Sequence, residues 1–195
     1  MFGFLCSRVK NKLNKGLFCF NGESIKSLYF LQNPYHNRFI SNNPTNQKSF
    51  TINYLINSCG LSEGKAISAS KKVQLKNSVN PDSVLTLLKN YGFPKTYVST
   101  IIEKHPTLLL SNADKILKPK LSFFCSLGIS GPDLAKLLSW RPTTMRRSLG
   151  KHFLPAVNFL NGIVHTDDDL LRAITRSNFS VFHHPEKRLT PALKF

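Results

Sequence analysis

An ungapped period of thirty-six residues runs through the second half of this chain and restricts the fold more than any other feature of it. Pro119, Pro155 and Pro191 fall in one column, and Lys115, Lys151 and Lys187 in another. Three apolar columns accompany them: Leu117, Phe153, Leu189; Leu121, Val157, Leu193; and Phe123, Phe159, Phe195. The register extends back through Gly92 and Gly128, Pro106 and Pro142, Val98, Leu134 and Leu170, and Ile102, Leu138 and Ile174. Repeats of this size are supersecondary units that bury their apolar faces only by stacking on neighbours. The columns divide the chain into units at 81–116, 117–152 and 153–188, with a partial unit at 189–195. A divergent first unit covers 50–80, where Leu55–Ser62 resembles Leu87–Pro94 at an offset of thirty-two.

Within a unit the punctuation is helical, so the expected fold is an all-α helical repeat solenoid. Proline suits the first turn of a helix and glycine the left-handed residue after its end, so Pro119 to Gly128 reads as one short helix. One unit earlier, Asn80 is placed to cap a helix with Pro81 at its first position and Val84, Leu87, Leu88 and Tyr91 on one face, ending at Gly92. The second helix of each unit starts at a capping signal, Ser130 with Asp133 and Thr166 with Asp169. The acids Asp167, Asp168 and Asp169 fit a helix N-terminus better than a metal site. Val98, Ile101 and Ile102, then Leu134, Leu137 and Leu138, then Leu170, Ala173 and Ile174, form its apolar stripe. Pro106 and Pro142 should end or bend this helix, because an interior proline costs about 3 kcal/mol. Leu109, Met145 and Val181 just beyond predict a short third turn that packs back on the pair. The aromatic column and Tyr91 read as core, whereas Trp140 is open to two readings, filling a gap between units or lying on a sugar-phosphate surface.

Twenty-seven Lys and Arg stand against ten Asp and Glu, a net charge of +17 that points to a polyanionic partner. Part of it lies in residues 1–49, with seven basic residues, one acid and scattered Phe, Ser and Asn. That stretch reads as a disordered organellar transit peptide, with an amphipathic basic helix near Phe2–Phe18 and Arg38 placed as at a mitochondrial processing site. An ordinary basic tail is the alternative. From Phe50 onward twenty basic and nine acidic residues remain, a net +11 that belongs to the folded part. No stretch approaches eighteen uninterrupted apolar residues, so no membrane insertion is expected.

The residue types that carry chemistry form no constellation. Cys6, Cys19, Cys59 and Cys125 match no metal or redox spacing, and the latter two read as buried thiols. The histidines at 36, 105, 152, 165, 183 and 184 show neither a zinc pair nor a nucleophile's partner, and the glycines occur singly at helix ends rather than in a phosphate-binding loop. The chain therefore reads as no enzyme, with no cofactor and no metal. Nucleic acid requires cations that recur along one surface, because phosphates recur along the duplex. Lys115, Lys151 and Lys187 share one column; Lys104, Arg141 and Arg176 fall at the ends of successive second helices; Lys71, Lys72, Arg146 and Arg147 add local density. These ten are the candidate nucleic-acid-binding residues, with plain solvated charge as the competing reading.

Gly92-Phe93-Pro94 followed by Ile101-Ile102-Glu103-Lys104-His105-Pro106-Thr107-Leu108-Leu109 resembles the repeat signature of the mitochondrial transcription termination factor (mTERF) family. A second copy runs from Gly128 to Leu138 with Pro142, and Ser49–Thr51 through Ser70–Val73 is similar to the way plant members begin after their transit peptides. The resemblance implies a right-curved helical solenoid and organellar targeting, to the mitochondrion or alternatively the chloroplast. It further implies binding to double-stranded DNA or RNA and a part in transcription termination or transcript maturation. Members usually run longer, and this chain stops inside the first helix of a new unit, so an array without its closing repeats is expected. Leu189, Leu193 and Phe195 would then leave an apolar face open to a protein partner or to self-association. A protein-interaction solenoid, or a family fragment without independent activity, is the alternative function.

Overall fold

The computed structural model describes residues 44–177 and Phe182, and among these described residues there are eight α-helices in four successive pairs. These are α1 (Pro44–Asn57) and α2 (Glu63–Ser70), α3 (Val79–Asn90) and α4 (Lys95–Lys104), α5 (Lys118–Ser126) and α6 (Gly131–Trp140), and α7 (Leu154–Asn161) and α8 (Asp167–Arg176). The described residues contain no strand. Helix α1 begins six residues inside the segment read as transit peptide, so the boundary drawn at 49/50 falls within a helix. The rest of that segment, the residues beyond Ser177 other than Phe182, Lys187 and the partial unit at 189–195 lie outside the described residues.

The glycine columns end the first helices. Gly92 and Gly128 have φ of 76° and 88°, a left-handed conformation that costs a glycine nothing. In each case the following residue donates back across the last turn, Phe93 N to Leu88 O at 3.1 Å and Ile129 N to Phe124 O at 3.0 Å, while the glycine N bonds Lys89 O or Cys125 O. This Schellman closure uses up carbonyls a helix end would otherwise leave orphaned, and it turns the chain into the second helix.

The proline columns act differently from one another. Pro106 and Pro142 end α4 and α6, and each opens a 3₁₀ turn, Pro106–Leu110 and Pro142–Arg146, that buries Leu109 and Met145 as expected of a short third element. Pro119 and Pro155 stand second in α5 and α7, within the first turn as expected. Winding begins earlier, at Asn112 and Ser148, whose side chains accept from Lys115 N and Lys151 N, and continues through the π turns Ala113–Leu117 and Leu149–Phe153. A proline ring clashes with the carbonyl four residues back, and a widened turn just before it relieves that clash.

Two further local expectations are corrected. Ser78, not Asn80, precedes α3; the Asn80 amide donates instead to Leu109 O at 2.9 Å and Ser111 O at 3.1 Å, tying the start of α3 to the turn after α4. Ser130 makes no side-chain cap, since Gly131 (φ 54°) and Pro132 already set the entry of α6. Thr166 does cap, accepting from Asp169 N at 3.1 Å, with the three acids in the first turn of α8.

Hydrogen bonds between pairs reveal two layers. Among first helices, Tyr54 on α1 bonds Asp82 on α3 at 2.6 Å, and Tyr91 beside α3 bonds Ser122 on α5 at 2.6 Å. Among second helices, Lys65 on α2 meets Glu103 on α4 at 2.8 Å, and Lys104 on α4 reaches Ser139 O on α6 at 2.7 Å. The core lies between the layers. Phe123, Phe124 and Phe153 are fully buried, with Phe153 at 5.9 Å and 5.1 Å from the other two rings and 5.1 Å from Phe182. Each such ring contributes about 1.5–3 kcal/mol from burial alone. Phe159, from the same repeat column as Phe123, is half-buried. Cys59 and Cys125 are buried, as read from sequence.

Candidate nucleic-acid interface

Because the two helices of a pair run in opposite directions, the array has two edges. Gly60, Gly92 and Gly128 lie along one; the ends of the second helices, the 3₁₀ turns and the π turns lie along the other. Asn80 fixes this placement by joining the start of α3 to residues 109 and 111. The candidate cations of the described residues all fall on this second edge. Lys71 and Lys72 follow α2, Lys104 ends α4, Arg141 follows α6, and Arg176 ends α8. Arg146 closes a 3₁₀ turn with Arg147 after it, and Lys115 and Lys151 sit in the π turns.

Most acids are sorted the opposite way. Glu63, Asp133 and Asp167–Asp169 occupy the first turns of second helices, where the helix dipole favours them, and cations at the last turns are favoured by its other end. Among the acids near the basic edge, Asp82 accepts the Tyr54 hydroxyl, Glu103 is paired with Lys65, and Asp114 is exposed beside Lys115 in the π turn. A second ion pair, Arg172 with Asp169 at 4.0 Å, lies at the start of α8. Neither pair uses Lys71, Lys72, Lys104, Lys115, Arg141, Arg146, Lys151 or Arg176.

His105, the residue after α4, lies within the field of charges from the units on either side of its own. It is 8% exposed, with Nδ1 3.0 Å from the Thr107 hydroxyl. Burial lowers its pKa, and the positive charges of Arg146 and Lys72 lower it further. Lys72 comes from the first unit and Arg146 from the third, so the field at His105 registers cations that are seventy-four positions apart in sequence.

The candidate residues differ in how committed they are. Lys71, Lys72, Lys115, Arg146, Lys151 and Arg176 are exposed. The Lys104 ammonium is also used structurally, donating to Ser139 O near the end of α6. Arg147 is half-buried with Nη1 3.4 Å from His152 Nε2, and Arg141 is half-buried. Lys120 was missed by sequence reasoning. It is 7% exposed and donates to Met145 O at 2.6 Å, and burial lowers its pKa. The signal available was its column, which holds Val84 and Ala156 in the neighbouring units.

Trp140 stands 58% exposed on the wall of a groove of about 480 Å³ between α6 and α8, lined also by Ile129, Leu137, Leu171 and Arg172. It does not fill the gap. At the repeat position where α6 has the fully buried Ala135, α8 has the larger, partly buried Leu171 on the wall of the groove. No group of three or more His, Cys, Asp or Glu able to hold a metal occurs among the described residues, and no described helix is long and apolar enough to cross a membrane.

Paired helices in register, closed by glycine at one edge and by proline turns at the other, define an all-α helical-repeat protein with a cationic edge. The mTERF family model matches residues 85–194, and the chain belongs to that family of nucleic-acid-binding helical-repeat proteins. No curated protein and no solved structure matches the chain.

Proposed function

We propose that this chain is a non-catalytic organellar nucleic-acid-binding protein that lies with its basic edge on the phosphate backbone, preferentially of double-stranded DNA. It acts in transcription, including termination, or in transcript maturation. The observation that carries this reading is the placement of Lys72, Lys115, Arg146, Lys151 and Arg176, all exposed and drawn from successive units, along the edge where the second helices end. Cations held at repeat spacing match a polymer whose charges also repeat, and each phosphate they neutralise releases condensed counterions. Such contacts position a protein on a duplex without reading its sequence. The basic N-terminal segment supports delivery to the mitochondrion, with the chloroplast as the alternative destination.

A salt titration of the full chain against labelled duplex DNA and structured RNA tests this directly. With about four phosphate contacts, affinity should fall roughly a hundredfold between about 50 and 200 mM salt, with the duplex held more tightly. If neither ligand is bound at about 50 mM salt, the reading fails. A protein-interaction solenoid is the second reading, and the groove bearing exposed Trp140 is the observation that favours it.

A further inference from the structure

The repeat column that places Val84 and Ala156 in the core, both at 0% exposure, places a lysine between them. A buried ammonium is costly unless hydrogen-bonded, so Lys120 is a poor choice for packing alone. Its Nζ donates to Met145 O at 2.6 Å, in the turn Pro142–Arg146. One unit earlier, the carbonyl at the matching position, Leu109 O, takes the neutral Asn80 amide at 2.9 Å. Both turns thus have the same carbonyl held by a side chain from the unit's first helix, and an uncharged donor suffices for one of them.

What distinguishes the turns is what they carry. After the first, Leu110 and Ile116 are 54% and 45% exposed. Their repeat counterparts after the second are Arg146 and His152, with Arg141 before the turn and Arg147 behind it. The second turn also spends polarity in its interior: Thr144, where the earlier unit has Leu108, is fully buried with its hydroxyl unpartnered. The turn at residues 106–110 forms without these polar groups.

We propose that Lys120 is a positioning residue for nucleic-acid binding: by holding the Met145 carbonyl it fixes the turn so that Arg141, Arg146 and Arg147 meet the phosphate backbone together. This rests on the function proposed above. Lys120 itself is too buried to touch a ligand, so it acts through the turn.

The test compares the full chain with Lys120→Met, Lys120→Gln and the pair Arg146→Ala/Arg147→Ala, each first checked by circular dichroism, in salt titrations against duplex DNA. Met removes the donor in an apolar surrounding; Gln keeps a shorter, neutral one. Lys120→Met should weaken binding about tenfold and reduce the salt slope by about two contacts, as the arginine pair does, with Lys120→Gln between it and the unaltered chain. Added to the arginine pair, Lys120→Met should have little further effect, because both act on the same contacts. A folded Lys120 variant with unaltered affinity and slope, or with a loss that adds fully to that of the arginine pair, would overturn the proposal. So would failure of both variants to fold, which would make Lys120 a residue of stability only. Failure of the unaltered chain to bind would instead count against the function on which it rests.

Discussion

The Lys104 ammonium, at the end of α4, donates at 2.7 Å to the Ser139 carbonyl near the end of α6. One cation of the basic edge thereby ties two units together and neutralises part of the negative end of the next helix. A repeat array owes its cohesion to such contacts between neighbours. Lys104→Ala is expected to cost about 1 kcal/mol, less than a buried charged hydrogen bond because the side chain is exposed. Thermal unfolding followed by circular dichroism reads this. Binding should lose less from Lys104→Ala than from Arg146→Ala, since Lys104 already has a protein partner.

Gly92 and Gly128 occupy the same repeat position with different surroundings. A methyl group at Gly92 would stand 3.3 Å from the Gly131 Cα, whereas nothing lies within 4 Å of one at Gly128. Both have positive φ, so each alanine carries a conformational cost of about 1 kcal/mol. Gly92→Ala should be the more destabilising, because backbone must also move. Equal denaturation midpoints would show that the α3–α4 turn and the start of α6 are less tightly apposed than this.

His105 supplies a pH dependence with a definite sign. Its folded-state pKa is lowered, first by burial and then by Arg146 and Lys72. The stability it contributes is therefore present above its ordinary value of 6.5 and lost as pH falls through the lowered one. Arg146→Ala should raise the His105 pKa, read from its imidazole signals in an NMR titration. Saturation with duplex DNA should raise it as well, by screening the same charge. An unmoved His105 in both experiments would contradict its place within the field of charges from the neighbouring units.

Much of this architecture is legible in sequence because its punctuation is chemically forced. Gly92 and Gly128 had to follow helices, and Pro106 and Pro142 had to end them, since few other residues tolerate those backbone states. The capping positions were less legible because the same residue type serves several ends. Asn80 looks like a cap and instead spans to Leu109, and Ser130 is made redundant by Gly131 and Pro132. Pro119 and Pro155 mark the first turns of α5 and α7 but give no sign of the π turns that let the winding begin several residues earlier. In the candidate site, the positions of the exposed cations followed from the repeat register. Their engagement did not: that Lys104 is bonded and Lys120 buried depends on the length and direction of side chains crossing between units, which periodicity does not encode.

The interface at this edge is tested most directly by removing equal charge from the two sides of the array. Lys72→Gln, Arg141→Gln and Arg146→Gln strip the edge where second helices end. Lys89→Gln, Lys95→Gln and Lys136→Gln strip exposed lysines near the glycine edge or along α6. Net charge falls by three in each triple variant, so general electrostatic attraction changes alike. The first triple should lose duplex affinity by at least about a hundredfold at low salt and reduce the salt slope by about three contacts, while the second keeps both near those of the unaltered chain. Equal losses in the two would contradict a nucleic-acid interface at this edge.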